Sequence, residues 1–473
     1  MKNIPTVFVM FGATGDLMAR RLVPALFYLY KNGKLPVMFS IVGFARRELS
    51  DQAFRDYVKD ATKNFIDVNG PEFDKFLKYF IYEQGLFDEE KDYKRLAERV
   101  GLIDKQWRVC ANKLFYLATP PQHYEVILNN LHSSGLTDPC SPEEGWTRVL
   151  IEKPFGRDSD EAKKLDATLS RLFKDIQIYR IDHYLAKEVL QNIMAFRFAN
   201  NLFEGAWNDR MIERIDVRFL EEIDVEGRGE FYDHVGALLD VGQNHMLQML
   251  ALVTMGNPGE FTAENIRKVR TEILNNVKVL STEKEVRDSA VRGQYAGYLS
   301  EPGVKPDSTT ETYFKLKTTV DLPKWKNMAV YLEAGKKTGR VDKEIIVTFR
   351  HPTPCLCPKN SPEHLKNKIY FHIEPHPGID ILFYSKQPGT KIDLEPKLFE
   401  FRYEGQAQRY LVEYASLLLD AFVGDQTLFV SSEEAMAGWR FIDPIVSVWD
   451  KDLSNMHSYS SLEEVISLSE KLK

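Results

Sequence analysis

The stretch that decides the fold is "VFVMFGATGDLMARRLVPALFYLY", Val7 to Tyr30. Five apolar residues run without a break into a glycine, and apolar positions then recur at helical spacing. That order reads as strand, tight turn, helix. Gly12 and Gly15 permit the close backbone approach that a pyrophosphate requires, and the N-terminus of the following helix would face it. The spacing is G-x-x-G-D-L rather than G-x-G-x-x-G, so the flanking strand and helix carry the reading. A plain strand-to-helix turn is the alternative.

Working outward, strand-like runs alternate with amphipathic stretches up to residue 182: "FSIVGFA", "KLFYLATPP", "TRVLIEKP" and "IQIYRID". Alternation of this kind predicts parallel βαβ units. From about residue 310, "YFKLKTTVD", "NMAVYLEAG", "EIIVTFRHP", "NKIYFHIEP" and "IDILFYSK" follow one another with turn residues between them. Successive strands with little helical signal predict an antiparallel sheet with helices on one face. Residues 183–300 read as the helical part, and the polar stretch near 280–310 reads as a long surface loop. The predicted fold is an α/β Rossmann-like dinucleotide-binding domain, 1–182, followed by a β+α domain, 183–473, with a large mainly antiparallel sheet.

The second strand bears on cofactor choice. After "FSIVGFA" come Arg46 and Arg47, and an acid arrives only at Glu48. An early acid would suit a ribose 2′-hydroxyl, whereas arginine accommodates a 2′-phosphate. NADP is favoured, with NAD a weaker alternative.

With 473 residues, the chain exceeds the size of most single cores. Its 44% hydrophobic and 28% charged residues are those of an ordinary globular protein. A net charge of −7 argues against a nucleic-acid partner. Neither a signal peptide nor a membrane-spanning run is read, and four cysteines at positions 110, 140, 355 and 357 suit a reducing cytoplasm. "PCLCP" lacks partner ligands at metal spacing, so no zinc site is expected.

"RIDHYLAKEVLQNI", Arg180 to Ile193, sets an acid, a histidine, a tyrosine and a lysine around one turn where helical periodicity begins. Four residues apart, His183 and Lys187 would share a face on a helix, and helix openings accommodate anions. A capped, solvated helix start is the plainer alternative.

"GATGDLMARRL", "IVGFARREL", "IEKPFG", "RIDHYLAKE", "EGRGEFYDHVGALLDVGQNHMLQML" and "GDQTLFV…EEAMAGWRFIDPI" occur in this order. In these motifs the chain resembles the glucose-6-phosphate dehydrogenases over almost its whole length. The resemblance implies oxidation of β-D-glucose 6-phosphate at C1 to the 6-phospho-1,5-lactone, with reduction of NADP, in the oxidative pentose phosphate pathway. It also implies a homodimer or homotetramer built through the large sheet. His245 is implied as the base that takes the C1-hydroxyl proton, and Asp182 as the carboxylate that orients it.

Cofactor contacts are implied for Gly12, Ala13, Thr14, Gly15, Asp16 and Leu17, and for Arg46, Tyr82 and Lys153. His183, Tyr184 and Lys187 are implied to bind the 6-phosphate. Glu221, Asp240, Asn244 and Lys336 are implied to bind the sugar, with Lys153 between substrate and nicotinamide. The proline after Lys153 favours a rigid backbone there, with a cis bond allowed.

The chain departs from the family pattern in places. Ala186 stands where the family usually has glycine. The family's second basic residue, five positions after Lys336, falls on Val341, leaving Arg340 or Lys337 as candidate substitutes. The extra structural NADP site of animal enzymes is not expected. Two rival readings are a broader sugar dehydrogenase of the glucose–fructose oxidoreductase type, which needs neither His183 nor Lys187, and a non-catalytic NADP sensor.

Overall fold

Strand β1 (Thr6–Phe11) has every residue buried, and so do β2 (Phe39–Ala45) and β4 (Asn112–Leu117). Strands buried on both faces belong to a parallel sheet covered by helices on each side. The computed structural model describes residues 5–140, 144–354, 365–403, 409–451 and 456–472. Its contacts divide it into two units. One takes in Met1–Ala186, Thr262–Glu264 and Ala407–Ser432; the other takes in Lys187–Phe261, Asn265–Gln406 and Glu433–Lys473.

The first unit completes its parallel sheet with β3 (Phe80–Gln84), β5 (Thr147–Glu152) and β6 (Ile178–Ile181). Strands run in the order β6-β5-β4-β1-β2-β3, so the direction of winding reverses between β1 and β4. Such a reversal opens a crevice at the carboxyl ends of the strands, where ligands bind. The "VFVMFGATGD" turn stands at that reversal.

The second unit is built on β7 (Ile212–Leu220), β8 (Ala290–Tyr295), β9 (Tyr313–Thr318), β10 (Ala329–Gly335), β11 (Asp342–Phe349), β12 (Lys368–Glu374), β13 (Gly378–Lys386) and β14 (Leu394–Arg402). A short β15 (Phe429–Val430) returns antiparallel to β6 in the first sheet, and β16 (Met456–Tyr459) joins β8 in the second. The second sheet has nine strands in the order β14-β13-β12-β11-β7-β10-β9-β8-β16, antiparallel except for β7 with β10 and β8 with β16.

Two expectations are corrected here. Residues 183–300 are not simply helical: they supply β7, the central strand of the large sheet, and β8. In β7 ("IERIDVRFL") charges interrupt the apolar signal; Arg214 pairs with Asp216 along the strand at 3.0 Å, and Arg218 finds its partners across strands. Arg218 pairs with Glu344 at 3.3 Å and with Glu333 at 3.7 Å. Nor is the 280–310 stretch one long loop. Thr282 and Glu285 form a reciprocal cap for the helix Glu283–Ser289, which leads straight into β8. Tyr295 and Tyr298 then enter a core with Tyr232, Tyr313 and Tyr459.

Cys110 and Cys140 are joined in a disulfide, with 6.3 Å between their Cα atoms. Cys355 and Cys357 lie outside the described residues. No helix among the described residues is long and apolar enough to cross a membrane.

Candidate active site

The first unit carries the dinucleotide half. Gly12 has a φ of 76°, and a Cβ there would collide with the Ala118 carbonyl oxygen. Only glycine fits so close a backbone approach. Gly15 N donates to Gly12 O at 2.9 Å and closes the turn, while the buried Ala13 sits beneath it. Tyr57 secures the turn by donating its hydroxyl to Thr14 O at 2.8 Å.

A cavity of about 560 Å³ opens above the turn, lined among others by Gly12, Thr14, Gly15, Arg46, Arg47 and Thr119. Arg47 packs over the Tyr57 ring, 5.1 Å from its centroid. Arg46 is exposed beside it. Buried Tyr82 donates to Ala45 O and Arg47 O at 2.7 and 2.6 Å, so its hydroxyl holds the turn that carries both arginines. Burial chiefly raises this phenol to about 12, so it stays protonated. Asp16 pairs with Arg20 at 2.6 Å at the surface, and Leu17 is half-buried between them. The turn and the cavity fit a dinucleotide.

At the carboxyl ends of β5 and β6 stand Glu152, Lys153 and Asp182. The Lys153–Pro154 bond is cis. Asp182 is 1% exposed and accepts from Tyr184 N at 3.0 Å, which shapes the single 3₁₀ turn His183–Ala186. The buried Ala186 ends that turn without glycine. Lys187 is the next residue and stands, extended, at the N-cap position of the helix Glu188–Phe198, so His183 and Lys187 do not share the helix face expected of them.

Residues that local sequence did not single out support this corner. Tyr116 donates to Glu152, Tyr414 reaches the same carboxylate oxygen at 3.4 Å, and Tyr124 donates to Glu152 O at 3.1 Å. The Tyr414 ring also lies 25° from the plane of His183, with 6.3 Å between centroids. Burial raises Glu152 to about 7 against the pull of Tyr116, Tyr414 and Lys153.

The second unit carries His245, 2% exposed, on a π-helical segment, Leu238–Met246, which also bears Asp240 and Asn244. Asn244 Oδ1 accepts from His245 N at 2.6 Å, and its Nδ2 donates to Asp240 O at 3.1 Å and to Leu239 O at 3.2 Å. Half-buried Asp240 projects from the first turn of the same segment.

Beside it lies a chain of alternating charge. Lys336 donates to Glu221 at 2.7 Å, Lys343 lies 3.0 Å from Glu221 and 2.8 Å from Glu374, and Lys187 lies 2.8 Å from Glu374. Burial works against charge on Glu221, but Lys336 and Lys343 outweigh it and hold the carboxyl below its usual range. The candidate substitutes for the missing base at 341 turn elsewhere: Arg340 pairs with Asp342 at 2.9 Å, and Lys337 packs over Tyr295. Lys343, which sequence reasoning passed over, reaches Glu221 instead. Register explains it: Lys343 pairs with Phe219 on β7 and with Glu374 on β12, beside a bulge that re-aims the strand.

Two protein families account for nearly the whole chain: the glucose-6-phosphate dehydrogenase NAD binding domain matches residues 9–192, and the glucose-6-phosphate dehydrogenase C-terminal domain matches residues 194–468. A glucose-6-phosphate 1-dehydrogenase from Chlamydia pneumoniae is 38% identical over 472 residues, 95% of this chain and 90% of that one. Another from Borreliella burgdorferi is 36% identical, covering 98% and 96%. A solved structure described as glucose-6-phosphate dehydrogenase in complex with its substrate glucose-6-phosphate superposes with a TM-score of 0.88 at 29% identity, covering 99% and 98%. The first unit therefore contains a nicotinamide dinucleotide-binding domain, and the nine-stranded sheet is that of the second family domain. Matched in both halves and over these lengths, the chain belongs to the glucose-6-phosphate dehydrogenase family of oxidoreductases.

Proposed function

We propose that the chain oxidises β-D-glucose 6-phosphate at C1 to the 6-phospho-1,5-lactone and reduces NADP. The observation that carries this reading is the row Lys336, Glu221, Lys343, Glu374 and Lys187, in the unit that bears His245. A sugar phosphate requires cations for its anion and carboxylates for its hydroxyls, and the row offers both.

When bound beside the Gly12–Gly15 turn, a nicotinamide would supply the acceptor for the C1 hydride. His245 takes the C1-hydroxyl proton on its imidazole, the side-chain type most often used as a general base. Asp182 stabilises the imidazolium that results. His183, Tyr184 and Lys187 hold the 6-phosphate, while Glu221, Asp240, Asn244 and Lys336 hold the sugar. Lys153 stands between the substrate and the cofactor. Arg46 favours NADP over NAD by receiving the 2′-phosphate.

Phe383, Phe399 and Phe401 are 39%, 62% and 50% exposed on β13 and β14, which supports a homodimer or homotetramer formed through this sheet. The enzyme's place is the cytoplasm and the oxidative pentose phosphate pathway. Incubation with glucose 6-phosphate and NADP, followed by the absorbance of reduced nicotinamide, tests the reading. Equal activity on free glucose would favour the broader sugar dehydrogenase, and no reduction with either sugar would favour the sensor.

A further inference from the structure

Glu374 ends β12 with each carboxylate oxygen on a different ammonium group. Oε1 accepts from Lys187 and Oε2 from Lys343, both at 2.8 Å. Burial opposes its charge, but the two lysines outweigh burial and keep it ionised below the usual carboxylate range. A bidentate anion on two cations is also the arrangement that a phosphate adopts. Its side chain is 34% exposed, against 13% for Lys187 and 12% for Lys343, so a solute reaches the carboxylate before the amines. Lys343 has a second carboxylate, Glu221, that keeps it in place when Glu374 leaves.

The geometry points to Glu374 as a resident counter-ion that the 6-phosphate displaces, and to Lys343 as the second basic group of the phosphate site. This rests on the sugar-phosphate reading above and deepens it. A dianionic phosphate has enough oxygens to replace both bonds of Glu374, whereas a neutral hydroxymethyl group replaces neither. Glu374 thus makes anion binding weaker than the bare lysines would, and restricts it to ligands that compensate both cations.

The test uses inorganic phosphate as the probe, titrated calorimetrically into the intact protein and also measured as a competitor of glucose 6-phosphate. Glu374→Gln should tighten inorganic phosphate by about tenfold, the scale of one charge-assisted bond no longer contested. Glu374→Asp, one methylene shorter, cannot span both amines and should give a smaller gain in the same direction. Lys343→Gln should weaken phosphate. Phosphate binding that is unchanged or weaker in folded Glu374→Gln, or unchanged in Lys343→Gln, overturns the inference. Should Glu374→Gln fail to fold, Glu374→Asp decides by the same criterion. Equal kcat/KM of the unmodified protein on glucose and glucose 6-phosphate would instead overturn the sugar-phosphate reading, and calorimetry with inorganic phosphate judges the counter-ion independently of turnover.

Discussion

The His245 imidazole lies nearly parallel to the Phe219 ring, with 16° between their planes and 6.3 Å between centroids. Phe219 on β7 is opposite Lys343 on β11, whose ammonium lies 4.6 Å from the same ring. One aromatic ring therefore lies parallel to the histidine and within cation–π reach of the lysine ammonium. Burial and this ring contact leave the His245 imidazole little freedom to turn, while Asn244 holds its backbone N–H.

If this fixed, buried imidazole is the base, His245→Asn should leave binding of both ligands largely intact. Turnover should fall roughly 10²–10⁴-fold, the usual contribution of a general base. Steady-state kinetics with calorimetric binding separates the two effects. Near-normal turnover in a folded variant removes His245 from the chemistry.

Cofactor choice should depend on Arg46 more than on Arg47, because Arg47 is already packed over Tyr57. Arg46→Ala should raise KM for NADP about tenfold more than KM for NAD, since only NADP carries the 2′-phosphate. Arg47→Ala should show a smaller discrimination. Parallel rises for both cofactors in Arg46→Ala would place the 2′-phosphate elsewhere.

Glu152 links the active-site corner to stability. Its folded-state pKa, raised by burial to about 7, exceeds the ordinary 4.5. The folded chain therefore holds a proton that the unfolded chain has lost between those values. The stabilisation from this group is full below pH 4.5 and is lost as the pH rises through 7. Glu152→Gln cannot ionise, and its amide oxygen still accepts from Tyr116 and Tyr414. Relative to the parent, the variant should gain up to ~3 kcal/mol in stability between pH 5 and pH 8. Urea unfolding at the two pH values measures it, and a difference independent of pH would reject the assignment.

These residues also mark how far the sequence could be read. The β1 turn is legible because its strand, glycines and helix are contiguous, and each step is a local preference. The same holds for the parallel runs after it. β7 is obscured because Arg214, Asp216 and Arg218 look like solvent-facing charge until their partners are known: Arg214 pairs with Asp216 along the strand, and Arg218 with Glu333 and Glu344 across it.

Lys343 and Glu374 are harder still. Nothing near either residue says that a bulge between Lys343 and Glu344 will set them opposite each other. Spacing from Lys336 pointed to Arg340 and Lys337, whereas strand register selects Lys343. Tyr414 is remote in sequence from both Glu152 and His183, and the amphipathic helix Arg409–Val423 signals a buried face without naming what it covers.

The central claim is that this site recognises the phosphate of a sugar phosphate, and Lys187→Ala tests it most directly. The quantity is the ratio of kcat/KM on glucose 6-phosphate to that on free glucose, which cancels general damage to the fold or the cofactor site. A buried, charge-assisted contact is worth about 1.5–3 kcal/mol, so the ratio should fall roughly 10–100-fold. His183→Ala should lower it in the same direction, and the double variant should be non-additive if both side chains touch one anion. Equal losses on the two sugars, leaving the ratio unchanged, would contradict phosphate recognition at Lys187 and return the helix opening to a structural role.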